Sequence, residues 1–240
     1  MPEAIEDFFQ SRPPTADKPL YGRTILAVED SRYVSGVLRL LCQRSGARLR
    51  RADTLRAAAR HLRTYRPSIV IADLGLPDGS GLDLIRDLSS AEPRLEGLVA
   101  LSGDDTLADA AIQAGADLFM AKPLTSVGKF QADILSLLPL DARPAGPRPA
   151  LMEVVSADSA GLRDDFQHAA GLLQTASDAG SFDYCVTFLM GLAKASDDTS
   201  LSDAVVELQT AHRTGTDWRT PMAAVSKLVA VRLAKVKNAV

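Results

Sequence analysis

The stretch SIVIADLGLPDGSGLDLIRDL, residues 68–88, decides the fold of the first half of the chain. Its opening apolar run predicts a buried strand that ends at Asp73. The following LGLPDGSG contains the proline and glycines of a tight loop, and such a loop is expected to keep the Asp73 carboxylate exposed. Leu84, Ile85 and Leu88 then recur at helical spacing, so the stretch predicts one strand, loop and helix unit.

The same alternation of a short apolar run and an amphipathic stretch occurs five times before residue 138. Parallel strands that are joined by helices form a sheet covered on both faces, so the pattern predicts an α/β fold. The predicted strands are TILAV (24–28), ARLR (47–50), SIVIA (68–72), GLVAL (97–101) and DLFMA (117–121).

Proline-rich segments divide the 240 residues into parts. Four prolines between Leu138 and Ala150 indicate a linker between domains. Four more prolines fall in the first 20 residues, which are interpreted as a frayed tail or a short docking helix. The predicted organisation is an N-terminal extension (1–21), a first domain (22–138), a linker (139–150) and a second domain (151–240).

The second domain differs from the first in its sequence pattern and composition. Residues 151–240 contain no β-rich run and are dominated by alanine, leucine and aspartate. Helix start and stop signals divide this part into four segments, and antiparallel helices with short connections form a bundle. The predicted helices of this all-α bundle span residues 160–177, 181–195, 201–214 and 220–238.

Composition and charge exclude several classes of protein. The net charge is −3, and residues 151–240 hold 8 basic and 11 acidic side chains, so binding to nucleic acid is not favoured. No apolar run is long enough to span a bilayer, and the acidic N-terminus is unlike a secretory signal. A soluble, cytoplasmic protein without a membrane partner is therefore expected. Cys42 and Cys185 are interpreted as reduced, buried residues.

Polar side chains follow the predicted strands at their carboxyl ends, where parallel sheets collect functional groups. Glu29 and Asp30 follow the first strand, Asp73 the third, Ser102 the fourth and Lys122 the fifth. Three converging carboxylates with a single lysine repel one another, so a hard cation with oxygen ligands, Mg²⁺, is expected among them. Asp73 is the candidate nucleophile for forming an acyl phosphate.

This half of the chain resembles the receiver domain of bacterial response regulators. The resemblance implies a flavodoxin-like (βα)5 fold with sheet order 2-1-3-4-5, and a cis peptide bond before Pro123. It rests on residues that stand in order along the chain, namely Glu29-Asp30, Asp73 with the loop Leu76-Pro77 to Ser80-Gly81, Ser102 before Gly103, and Lys122-Pro123.

The resemblance also implies a reaction. Asp73 would accept a phosphoryl group from the phosphohistidine of a sensor histidine kinase or a phosphotransfer protein. Glu29, Asp30, Asp73 and a backbone carbonyl next to Asp73 would hold Mg²⁺. Lys122 would neutralise charge on the transferring oxygens, and Ser102 would donate to one of them. No separate substrate is turned over, since a receiver catalyses only its own phosphorylation and slow dephosphorylation.

Three further positions in this half relate to the family pattern. Phe119 lies where the family has a switching aromatic residue, but it can equally be a strand residue that packs against the fourth helix. Gly75 stands two positions after Asp73, where the family often has a larger residue. Asp104 stands two positions after Ser102, and both positions line the access to the phosphoryl group.

The stretch from Thr187 to Gly215 resembles the second and third helices of histidine phosphotransfer domains. Gly191 matches the small residue of that pattern, but Thr187 stands at the phosphoacceptor position and Met190 at the position of the activating lysine. A threonine without a base is a poor nucleophile, and a methionine cannot neutralise a phosphoryl group. The bundle is therefore expected to be a phosphotransfer fold without its reaction, with Thr187 and Met190 on one exposed helix face.

The sequence predicts a two-component response regulator that signals through binding of its helical domain to another protein. Phosphorylation is expected to change docking of the bundle or to shift a monomer towards a homodimer, through the receiver face formed by its fourth and fifth helices. One alternative is a working phosphorelay protein that uses His168 or His212, although a lone helical histidine is more often an ordinary residue. Another alternative is a transcriptional regulator that binds DNA.

Overall fold

The computed structural model describes residues 13–145, 151–176 and 178–237. Its first part is a parallel five-stranded sheet with the predicted strand order 2-1-3-4-5. The carboxyl ends of all five strands therefore lie at one edge of the sheet. The strands are β1 (Thr24–Val28), β2 (Arg48–Ala52), β3 (Ile69–Asp73), β4 (Gly97–Ser102) and β5 (Leu118–Ala121).

Five helices cover the two faces of the sheet. Successive residues of a strand point to opposite faces, so Ile25 joins one hydrophobic core and Leu26 the other. The first and fifth helices pack on the face of Ile25, and the other three pack on the face of Leu26. The helices are α1 (Arg32–Ser45), α2 (Leu55–Thr64), α3 (Gly81–Ser89), α4 (Ala108–Gln113) and α5 (Val127–Leu137).

The loop after β3 folds into a small antiparallel hairpin of Gly75–Leu76 and Gly79–Ser80, which the sequence pattern did not predict. Gly81 follows the hairpin and packs directly on the backbone of Asp73. A Cβ at Gly81 would lie 2.0 Å from the Asp73 carbonyl oxygen, so only glycine fits there. The hairpin thus returns the chain tightly over the end of β3.

The second part is the predicted bundle of four helices. Its core has its own apolar residues, among them Phe166, Leu189, Val205 and Val225, and the thiol of Cys185 is buried with them. Each described helix starts one or two residues before its predicted start, and the predicted end at 238 lies outside the described residues. The helices are α6 (Ser159–Thr175), α7 (Ala179–Ala195), α8 (Thr199–Thr214) and α9 (Arg219–Lys237).

Residues 151–157 precede α6 and lie along the α/β domain. The Val127 amide donates to the Glu153 carbonyl at 3.0 Å, and the Val155 amide donates to the Thr125 carbonyl at 2.8 Å. Val155 is buried in the core beside α1 and α5. The predicted extension up to residue 12 and residues 146–150 of the predicted linker lie outside the described residues. Among the described helices, none has the length and apolar character needed to cross a membrane.

Candidate functional site

Three carboxylates meet at the carboxyl edge of the sheet. Glu29 and Asp30 directly follow β1, and Asp73 ends β3, which is the neighbouring strand. One oxygen of each lies within 4.8 Å of the other two, and Asp30 Oδ1 is buried without a hydrogen-bond partner among the described residues. A cluster of carboxylate oxygens with an unsatisfied member suits a hard divalent cation such as Mg²⁺. The residues therefore fit a metal ion.

Lys122 lies among these carboxylates. Its Nζ is 2.9 Å from Glu29 Oε2 and 3.1 Å from Asp73 Oδ2. Burial alone would lower the pKa of Lys122, but Asp73 and Glu29 outweigh burial and raise the pKa of the ammonium group above its usual value. The peptide bond between Lys122 and Pro123 is cis, as the resemblance implied. Lys122 is therefore a fixed positive charge beside Asp73.

The site carries more negative charge than one lysine neutralises. Burial, and then the neighbouring Asp73, raise the pKa of Glu29 well above its usual value. The same two causes raise the pKa of Asp30 to about 6. Both shifts mean that ionising these carboxyl groups costs free energy at this site, and a bound cation would lower that free-energy cost.

Ser102 ends β4 and is buried beside this cluster. Its Oγ accepts a hydrogen bond from the Asp104 amide at 3.1 Å, and its carbonyl accepts one from the Lys122 amide at 2.8 Å. Phe119 on β5 is partly buried and packs against the core between the sheet and α2 to α4. This packing agrees with a strand residue and leaves the switching role a prediction.

Comparisons with known proteins agree with this geometry. A family model described as the response regulator receiver domain matches residues 25–131. Those residues form a receiver domain. The KDP operon transcriptional regulatory protein KdpE of Escherichia coli is 36% identical over 129 residues, which are 52% of this chain and 55% of that protein. The virulence transcriptional regulatory protein PhoP of Salmonella typhimurium is 37% identical over 101 residues, 41% of this chain and 45% of that protein.

The chain thus spans about half the length of these curated relatives. Among solved structures, a response regulator from Burkholderia pseudomallei with a phosphorylated aspartic acid and a calcium ion is 27% identical. The match covers 50% of this chain and 68% of that one, with a TM-score of 0.42. The receiver domain of a Pseudomonas aeruginosa sensor histidine kinase, with magnesium in its active site cleft, is 24% identical, with a TM-score of 0.44 over 48% of this chain and 97% of that one.

The bundle covers the acidic edge of the receiver. Asp73 is only 6% exposed, so the expectation of an exposed carboxylate was wrong. Its carboxylate contacts the buried Lys122 side chain, and α7 crosses the neighbouring loops at Gly75 and Gly103. The Tyr184 hydroxyl on α7 donates to Asp30 Oδ2 at 2.5 Å. Burial, and then the charge of Asp30, raise the pKa of Tyr184, so the hydroxyl keeps its proton and remains a donor.

Asp165 on α6 makes a second contact of the bundle with the receiver. It accepts hydrogen bonds from the amides of Arg32 at 2.8 Å and Tyr33 at 3.0 Å, and from the Ser31 hydroxyl at 2.6 Å. These amides belong to the first turn of α1, where helix amides lack partners within the helix. The Asp165 carboxylate is buried, which raises its pKa, while the bonds from Ser31 and the two amides oppose that rise. Asp165 therefore binds the N-terminus of α1.

Glycines allow the closest approaches between α7 and the receiver. A Cβ at Gly75 would lie 2.1 Å from Thr187 Cγ2, and a Cβ at Gly103 would lie 3.0 Å from Gly191 Cα. Gly191 itself is near Lys122, since a Cβ added to Gly191 would lie 3.5 Å from Lys122 Nζ. The backbone and Thr187 of α7 therefore fill the space beside the acidic cluster.

Two expectations about this contact were wrong. Thr187 and Met190 do not lie on an exposed helix face, because both are half-buried at the receiver, and Met190 lines a small cavity with Ser102 and Asp104. Among the described residues, the four bundle helices also do not pack mainly on the face of α4 and α5. Instead they lie on the start of α1, on the hairpin after β3 and on the loop after β4, where Asp165 accepts bonds from α1 and α7 approaches Gly75 and Gly103.

The two candidate histidines of the bundle are both engaged with neighbouring side chains. His168 Nε2 is 3.2 Å from the Tyr184 hydroxyl, and burial lowers the pKa of His168. It lines a cleft of about 530 Å³ between the two domains, together with Asp30 and Arg32. His212 lies on the Phe182 ring with a centroid distance of 3.8 Å. Neither histidine is within hydrogen-bond distance of Asp73.

Sequence reasoning missed Tyr184 and Asp165. Both lie on amphipathic helices whose pattern indicates only which face is buried in the bundle. Asp165 is 2% exposed, and an acidic residue with so little exposure needs partners, but those partners lie more than 130 positions earlier in the sequence. The sequence carried no signal for that pairing.

Proposed function

We propose that this chain is a cytoplasmic two-component response regulator whose receiver accepts a phosphoryl group on Asp73. The observation that carries the proposal is the cluster at the carboxyl edge of the sheet. Three carboxylates meet there, and the Lys122 ammonium lies 3.1 Å from Asp73 Oδ2. A nucleophile, a place for a cation and a fixed positive charge are what phosphoryl transfer requires.

The residues act together in one displacement. An Asp73 oxygen forms a bond to phosphorus while the bond between phosphorus and the imidazole nitrogen of the donor breaks. The imidazole keeps that electron pair and takes up a proton. Lys122 neutralises charge on the transferred group, and the Ser102 hydroxyl donates a hydrogen bond to one phosphoryl oxygen. Mg²⁺, held by Glu29, Asp30 and Asp73, would supply further charge neutralisation.

The donor is a sensor histidine kinase or a phosphotransfer protein, and the output is binding of the bundle to another protein. The acidic balance of residues 151–240 favours a protein partner over nucleic acid. The bundle is proposed to accept no phosphate, because Thr187 and Met190 replace the histidine and the lysine of a phosphotransfer site. The contacts of His168 and His212 with aromatic neighbours favour the same conclusion.

Phosphorylation in the presence of Mg²⁺ and a small phosphodonor tests the acceptor. We expect acyl phosphate on Asp73 and on no other residue, with labelling nearly abolished when Mg²⁺ is removed. Asp73→Asn should carry no label. Asp87→Asn is the matched control, because Asp87 is an exposed aspartate on α3 and should leave labelling unchanged.

Two results would contradict the proposal. Intact labelling of Asp73→Asn would exclude Asp73 as the acceptor. An acid-labile label on His168 or His212 would favour the phosphorelay alternative instead.

A further inference from the structure

The bundle surface that faces the receiver has a defined set of contacts. We call it the docking face, and it consists of Asp165, Tyr184, Thr187 and Gly191. Asp165 binds the N-terminus of α1, and Tyr184 binds Asp30. Both contacts satisfy polar groups that are buried or that lack a partner in their own helix. The docking face is therefore complementary to the end of a receiver domain in its polar groups.

The same surface is also selective in shape. Thr187 fills the space over Gly75, and the backbone at Gly191 lies on Gly103. A side chain at Gly75 would overlap with Thr187, and a side chain at Gly103 would press on the backbone of α7. Receivers that have larger residues at these two positions cannot accept α7 at this distance. The fit is therefore to the receiver of this chain.

The contact between the docking face and the receiver also depends on whether Asp73 is phosphorylated. A phosphoryl group on Asp73 needs room beside Gly75 and Lys122, which is where Thr187 and Gly191 lie. The Tyr184 hydroxyl also donates to Oδ2 of Asp30, a member of the carboxylate cluster that fits a metal ion, and leaves Asp30 Oδ1 without a partner among the described residues. A phosphoryl group on Asp73 and the docked bundle would thus compete for the same space beside Gly75 and Lys122.

We propose that the docking face is a receiver-binding surface whose partner is the unphosphorylated receiver of its own chain. The second part of the proposal is that the bundle must move away from the receiver before Asp73 can react with the phosphohistidine of a kinase. Only the second part rests on the proposed function, because docking itself requires no phosphorylation. The two parts can be tested separately.

Gly75→Ala is the variant that tests docking in the full chain. The three atoms nearest to the added Cβ all belong to Thr187, so the change disturbs the bundle contact and spares the receiver. The amides of Arg32 and Tyr33 report docking, because Asp165 is their acceptor. Without Mg²⁺, we expect their protection from hydrogen exchange to fall about tenfold or more in Gly75→Ala.

A second substitution and a control make this result specific. Thr187→Ala removes Cγ2, the atom 2.1 Å from the added Cβ, so Gly75→Ala with Thr187→Ala should regain much of the protection. Gly171→Ala is the matched control, because a Cβ at Gly171 meets no atom within 4 Å, and it should match wild type. Unchanged protection in Gly75→Ala, or no recovery in the double variant, would overturn the proposed surface.

The reaction is tested by phosphorylating the same variants with Mg²⁺ and a small phosphodonor. We expect Gly75→Ala to be labelled at least several-fold faster than wild type, and the double variant to return towards the wild-type rate. Equal rates in all three, with label present on Asp73, would reject the claim that docking blocks the reaction. Absence of label in every variant would contradict the proposed function, while the exchange result would still decide whether the surface exists.

Discussion

Lys122 shows what a single residue contributes to the acidic site. Within the described ranges, it is the one cation that forms ion pairs with the three clustered carboxylates, through Glu29 and Asp73. Its place could be predicted, because side chains at the ends of parallel strands meet at one edge. Its pairing with Glu29 could not, because that depends on the rotamers of two buried side chains.

Replacing Lys122 by methionine should destabilise the metal-free protein. The variant keeps the length of the side chain but leaves buried carboxylates without their counter-charge, which costs about 3 kcal/mol of unfolding free energy. Mg²⁺ should restore more stability to Lys122→Met than to wild type, because the ion then supplies the missing positive charge. Denaturant unfolding with and without Mg²⁺ measures both effects.

Lys129→Met provides the control for this measurement. Lys129 pairs with Asp133 on the surface of α5, where its side chain is 72% exposed, and such pairs contribute about 0.5 kcal/mol or less. If Lys122→Met lost no more stability than Lys129→Met, the ion pairs of Lys122 would have no role in holding the cluster together.

At the scale of elements, the bundle helices show where sequence prediction works and where it stops. Apolar spacing located all four helices, but all four starts were predicted one or two residues late. In α6, α7 and α8 an aspartate caps the helix, and the cap side chain accepts a bond from an amide of the first turn. Asp198 does more than cap α8, since it also accepts two bonds from Arg232 on α9.

Asp198→Ala should therefore destabilise the bundle more than loss of an ordinary cap. It removes the bond from the Leu201 amide at 3.1 Å and both bonds from Arg232. We expect a loss of about 2 kcal/mol, against about 1 kcal/mol for Asp158→Ala, which removes a cap without an ion pair. Thermal unfolding followed by helical circular dichroism compares the two, and equal losses would show that Arg232 adds nothing.

The contact with Arg232 also has a pH dependence. Hydrogen bonds from Arg232 hold the pKa of Asp198 below its usual value. A carboxyl group whose pKa is lowered by folding stabilises the folded state at neutral pH, and this stabilisation is lost as the pH falls from about 4 through the lowered pKa. Asp198→Asn should accordingly flatten the acid side of the stability curve, and an unchanged acid side would contradict the assignment.

At the scale of the whole molecule, the sequence predicted two domains but not their contact. Local patterns reveal strands, helices and the residues at their ends. The contact depends on pairs such as Ser31 with Asp165, which no periodicity connects. The one hint of this contact in the sequence was Gly75, because the family often has a larger residue at this position two places after the phosphoacceptor. Its neighbour turned out to be Thr187 of the bundle.

Loading the receiver with Mg²⁺ and beryllofluoride should separate the domains. A phosphoryl group adds about −1.5 to −2 charges, and the beryllofluoride mimic fills the same space beside Thr187 and Gly191. Coupling of about 1 to 3 kcal/mol would shift the docked fraction without abolishing it. We expect a larger radius of gyration in X-ray scattering and faster exchange at the amides of Arg32 and Tyr33.

Sedimentation under the same conditions distinguishes release of the bundle from dimerisation, because only dimerisation raises the mass. Asp73→Asn is the control, since its amide cannot hold the beryllofluoride, and it should keep the compact form with and without the mimic. An unchanged radius, mass and exchange rate in a wild-type protein that demonstrably carries the mimic would mean that the bundle tolerates the group. In that case Thr187 and Gly191 would have to move locally, within a docked bundle, to make room beside Asp73.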